Sequence, residues 1–124
     1  MPASLFHRLL RTSTLLLCLG TATGALAHAH LQSATPASGS HAGPTQELRL
    51  VFSEGVEEKF TNVVLRRDNA LLVLKSIATA PGDKKTLIVT PEQPLTAGDY
   101  VVEWQAVSVD THKSSGNYSF KVMP

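Results

Sequence analysis

Gln46-Glu47-Leu48-Arg49-Leu50-Val51-Phe52-Ser53 decides the fold class. Apolar side chains fall at Leu48, Leu50 and Phe52, every second residue, which is the period of a half-buried strand. Downstream, Glu54-Gly55-Val56-Glu57-Glu58-Lys59 breaks the alternation, and Phe60 to Arg67 resumes it with β-branched residues. Asp68-Asn69-Ala70 reads as a turn, and Leu71 to Ile77 as the return strand of a hairpin. Ala80-Pro81-Gly82-Asp83 turns again, Thr86 to Thr90 is a strand ended by Pro91, and Pro94 to Asp99 is a loop. Tyr100-Val101-Val102-Glu103-Trp104-Gln105-Ala106-Val107 is the longest strand, with Trp104 in the core. Asp110 to Gly116 reads as a polar loop and Asn117 to Val122 as the closing strand. Upstream of the opening stretch, Leu31 to Pro36 is a short extended piece and Ala37 to Pro44 is turn-like. No stretch carries a helical period. About seven short strands with turn chemistry between them predict an all-β fold, an antiparallel Ig-like β-sandwich with Greek-key connections.

The N-terminal region reads as a secretory signal. Arg8 and Arg11 make a basic start, Leu15-Leu16-Leu17-Cys18-Leu19 an apolar run, and Gly20 to Ala27 a small, polar end. The run is shorter than the roughly 20 apolar residues of a membrane span, and no second one follows. Residues 1–27 are expected to be removed, leaving residues 28–124 as one exported domain. Ala27-His28-Ala29 has the same small-x-small pattern as Ala25-Leu26-Ala27, so cleavage after Ala29 is the alternative. The single cysteine, Cys18, leaves with the signal, so disulfides and thiolate metal sites are excluded. Lys plus Arg number 11 against 10 Asp plus Glu, and two of the arginines also leave. The near-neutral remainder has no basic stripe for nucleic acid and no polybasic membrane patch.

The chemistry lies in four histidines: His28, His30, His41 and His112. Cleavage after Ala27 makes His28 a free N-terminus, whose α-amine and Nδ1 form a bidentate chelate. Asp110-Thr111-His112 adds a carboxylate and an imidazole, on one face if the segment is extended. Taken singly, Asp110 reads as a turn residue and His112 as a solvated loop histidine. Together with an N-terminal histidine they supply an amine, two imidazoles and a carboxylate, a donor set that suits Cu(II). Met123 is the one methionine after the signal, too few thioethers for a Cu(I) site. A rival mode uses His30 at mature position three, with the amine and two ionised amides, and leaves Asp110 and His112 idle. His30 is otherwise an auxiliary ligand. His41 reads as a surface histidine. Glu54 reads as a solvated loop carboxylate, or as a group that accepts a hydrogen bond from a ligating amine or imidazole and orients it.

Several stretches, in order, resemble the CopC family. They are His28-Ala29-His30-Leu31, Ser33 to Ala37, Leu50-Val51-Phe52-Ser53-Glu54, Thr90-Pro91 with Pro94 to Gly98, and Trp104 to His112 ending in Asp-Thr-His. The resemblance implies a periplasmic copper-binding protein on a cupredoxin- or Ig-like sandwich, serving copper resistance or homeostasis. It implies one Cu(II) per chain, held by His28, Asp110 and His112, with Glu54 in the outer sphere. Some family members carry a Met-rich Cu(I) loop, from which this chain departs. The expected role is that of a monomeric, non-catalytic carrier or buffer. Its partner would be a membrane copper transporter of the CopD type or a soluble periplasmic copper protein. The alternative is a copper-dependent oxidative enzyme similar to the lytic polysaccharide monooxygenases, which also use an N-terminal histidine.

Overall fold

A computed structural model describes residues 28–124. The expected signal segment, 1–27, and its cleavage lie outside the described residues. Among the described residues nine strands form: β1 (Leu31–Thr35), β2 (His41–Ala42), β3 (Leu48–Phe52), β4 (Asn62–Arg67), β5 (Ala70–Leu71), β6 (Leu74–Ala80), β7 (Asp83–Pro91), β8 (Gly98–Val107) and β9 (Lys113–Val122). β2 and β5 are two-residue bridges, and the other seven correspond to the strands expected. A 3₁₀ turn, Glu58–Phe60, lies between β3 and β4. Two sheets result, ordered β1-β3-β7-β6 and β2-β9-β8-β4-β5. β7 returns beside β3 and β8 beside β4, across intervening strands, as in a Greek key.

The inner faces are the alternating residues. In β3, Leu48, Leu50 and Phe52 are fully buried; in β8, Tyr100, Val102, Trp104 and Ala106 point in while Val101, Glu103 and Gln105 point out. The sheets meet where Phe52 packs edge-on against Trp104, centroids 5.2 Å apart. Such a contact is worth about 0.5–1.5 kcal/mol beyond the area it buries. Tyr100 stacks on Phe120 and donates its hydroxyl proton to the Thr96 carbonyl at 2.7 Å.

Three sequence expectations are corrected. The sandwich is not purely antiparallel, because β2, inside the stretch read as turn, pairs in parallel with β9. Leu71 to Ile77 is not one return strand. Asp68 and Asn69, both at positive φ, turn the chain so that Ala70–Leu71 pairs with β4, and the chain then crosses to pair β6 with β7. Continuous apolar character there reflects a change of sheet. The polar stretch Asp110 to Gly116 is loop only to His112; Lys113 onward is already β9, paired residue for residue with β8.

Candidate metal centre

One end of the sandwich gathers the start of β1, the β8–β9 loop and the segment after β3. Ala29 is the anchor of the N-terminal piece. It is fully buried in the core, and its carbonyl accepts the Ser114 hydroxyl at 2.6 Å. The His30 N–H donates to Ser53 Oγ at 2.9 Å, and the His30 carbonyl accepts the Ser53 N–H at 2.8 Å. The Ser53 hydroxyl also reaches the His28 carbonyl at 3.5 Å. With the backbone pinned on both sides, His28 is half-buried and its ring meets His112 edge-on, centroids 5.4 Å apart at 83°.

The second half of the site is the tight loop 108–112. Glu57 N–H donates to the Val107 carbonyl at 2.7 Å and Val109 N–H to the Gly55 carbonyl at 2.9 Å, so the chain is held on both sides of Ser108. Ser108 N–H then closes the loop onto the His112 carbonyl at 2.9 Å, and Thr111 N–H onto the Ser108 carbonyl at 2.8 Å. Thr111 takes a positive φ of 74°. Asp110 and His112 therefore converge through a left-handed turn, not through the i, i+2 facing of an extended strand that the sequence suggested. His112 Nδ1 lies 3.3 Å from Asp110 Oδ1, and both side chains stand about half exposed.

Asp110 Oδ1 also accepts the hydroxyl proton of Ser108, a residue with no exposed surface. That bond, and more weakly the neighbouring His112, hold the carboxyl below the ordinary Asp range against a smaller opposing effect of desolvation. The carboxylate is thus anionic over a wider acid range than a free one.

The structure brings His28, Asp110 and His112 together as two touching pairs, His28 with His112 and His112 with Asp110. Among the described residues no three His, Cys, Asp or Glu side chains already stand in metal-holding geometry. His30 is exposed, and among the described residues its ring meets no other ring or charged group. Glu54 is exposed beside Ser53, and its carboxylate makes no hydrogen bond or ion pair among the described residues. His41, on β2, is exposed and registers with Lys121 near the end of β9, the far end of the sandwich from His112. Three serines escaped the sequence reading: Ser53, Ser108 and Ser114. Only Ser108 had a signal, a polar residue on the buried phase of Trp104 and Ala106, two positions before Asp110.

Comparison with known proteins covers the sandwich as a whole. The CopC domain model matches residues 31–123. Copper resistance protein C of Pseudomonas syringae pv. tomato is 40% identical over 115 residues, spanning 86% of this chain and 91% of the relative. Copper resistance protein C of Escherichia coli is 36% identical over 117 residues, spanning 86% and 90%. The crystal structure of PcoC, a methionine-rich copper resistance protein from Escherichia coli, superposes with a TM-score of 0.71 at 34% identity, covering 77% of this chain and 99% of that one. With the family model spanning nearly all described residues and the same sandwich in a solved relative, the chain belongs to the CopC family.

Proposed function

We propose that this protein carries or buffers Cu(II) in the periplasm, one ion per chain, without catalysis. The observation that carries the reading is the meeting of His28 with His112 while His112 faces Asp110. A free α-amine and Nδ1 of His28, the His112 imidazole and the Asp110 carboxylate make a nitrogen-rich, oxygen-completed set of the kind Cu(II) prefers. His112 Nδ1 is occupied by Asp110, which leaves Nε2 for the metal. Asp110 Oδ1 is occupied by Ser108 and His112, which leaves Oδ2 to meet the cation. The three side chains would have to close further to hold one ion, since among the described residues they do not stand in metal-holding geometry. Met123, exposed at the chain end, cannot build a thioether site alone, so the oxidised ion is favoured.

The backbone speaks for His28 over the rival modes. Binding through His30 at position three needs ionised amides, and the His30 N–H is already spent on Ser53. Cleavage after Ala29 would remove a side chain that plugs the core and a carbonyl that binds Ser114. Cleavage after Ala27 keeps both. In this reading His30 is an auxiliary donor, and the exposed Glu54 carboxylate is the outer-sphere group that would accept from the freed His28 amine or its imidazole. The recipient is a membrane copper transporter of the CopD type or a soluble periplasmic copper protein.

Intact-mass measurement of the exported protein, with and without Cu(II), tests this directly. The expected product begins at His28 and gains one copper. Adding one residue before His28, or making His28→Ala, is expected to abolish tight binding. Equal affinity in the extended form would rule out the N-terminal chelate.

A further inference from the structure

We propose that Ser108 is the positioning residue of the copper site, acting on the metal through Asp110. The inference rests on the copper reading above.

Asp110 and His112 are exposed residues at a loop tip, where side chains ordinarily sample several rotamers and lose that freedom only on binding. Ser108 is different in kind. It has no exposed surface, its backbone pairs with Val56, and its neighbours Val107 and Val109 bond to Glu57 and Gly55. It is therefore as rigid as the strands it ends. From that fixed point its hydroxyl reaches three loop groups. It donates to Asp110 Oδ1, lies 3.2 Å from the His112 carbonyl, and accepts the His112 N–H at 3.2 Å. One buried oxygen thus fixes the carboxylate and the backbone of the imidazole ligand two residues on.

The bond to Asp110 uses Oδ1, the oxygen that also faces His112 Nδ1. It orients the carboxylate so that Oδ2 is the coordinating atom, and it keeps Asp110 against His112 before metal arrives. Groups that orient metal ligands in this way change affinity about ten- to a hundredfold when removed. Alanine at this position alters volume little, so the lost hydroxyl is the main perturbation.

A double-mutant cycle separates positioning from simple support of the loop. Cu(II) affinity is measured by competition with a chelator for the mature protein, Ser108→Ala, Asp110→Ala and the double variant. Ser108→Ala is expected to weaken binding about ten- to a hundredfold and to shift the Cu(II) EPR parameters. In the Asp110→Ala background the same change is expected to cost much less, the remainder being the bond to the His112 N–H. An equal loss in both backgrounds, or no loss in either, overturns the proposal. If Asp110→Ala alone leaves affinity and EPR unchanged, the copper site itself is misassigned, and the two failures are told apart. A measurement on the unsubstituted, copper-free protein guards against a Ser108→Ala chain that does not fold. The buried Ser108 hydroxyl proton, donated to Asp110, should exchange slowly in NMR, and Asp110→Ala should speed that exchange. A hydroxyl in fast exchange defeats the proposal.

Discussion

Single residues carry this sandwich at its closest approaches. Gly116 sits opposite Trp104 in the β8–β9 pairing, and a Cβ placed there would lie 2.6 Å from Trp104 Cζ2 and 2.8 Å from Cε2. The indole itself is packed against Phe52, so it has little room to withdraw. Gly116→Ala is expected to cost about 1–3 kcal/mol, the usual penalty of overpacking. Gly43→Ala, where nothing lies within 4 Å, should change stability by less than about 0.5 kcal/mol. Urea unfolding of both variants checks the pair, and equal midpoints would refute the clash. Trp104 was legible as a core residue because it lies mid-strand among alternating apolar residues. Its need for glycine at position 116 was not, because cross-strand register depends on a loop whose length the sequence misjudged. Asp110 and His112 were legible as a pair for their chemistry. Ser108 was not, because a serine shows its importance only through what its hydroxyl touches.

At the scale of elements, strands were easier to find than their partners. The alternation of Leu48, Leu50 and Phe52 identifies β3 without help, but nothing local says that the apolar stretch after Asn69 changes sheet after Leu72. The β6–β7 turn shows how a short connection is fixed. Asp83 Oδ2 accepts the Thr86 hydroxyl at 2.7 Å and Oδ1 accepts the Lys85 N–H at 3.0 Å. Those two bonds, the hydroxyl foremost, hold the Asp83 carboxyl below its ordinary value. A carboxyl depressed in the folded state stabilises the fold above its unfolded pKa, and that contribution is lost as pH falls through the folded one. Asp83→Ala should therefore unfold at lower temperature than the parent at pH 7. The difference should close once the solution is acidic enough to protonate Asp83 in both states. Thermal melts across the acid range decide it, and a gap that stays constant with pH would show that the carboxylate charge plays no part.

At the scale of the whole molecule, the candidate ligands belong to different sheets. His28 leads into β1, an edge strand of the four-stranded sheet, and Asp110 and His112 lie between β8 and β9 of the five-stranded one. A cation bound by all three ties the edge strand to the opposite layer, in addition to the hydrogen bond that Ser114 of β9 gives the Ala29 carbonyl. Copper should then stabilise the fold as a whole, because an ion that binds only the native state adds stability by mass action. Free Cu(II) at a hundredfold over its Kd adds about 2.7 kcal/mol, which for a domain of this length is a rise in Tm of roughly 10–20 °C. Imidazoles and an α-amine bind metal only as neutral bases, so the rise should shrink as pH is lowered. His41→Ala, far from the site, should keep the full rise, whereas His28→Ala or one added N-terminal residue should lose it. Hydrogen exchange gives the same test locally, since amides of β1, which pairs on one side only, should slow on adding Cu(II) and recover on adding a chelator. A copper-dependent rise of equal size in the N-terminally extended protein would show that a free His28 amine is not needed to hold the metal.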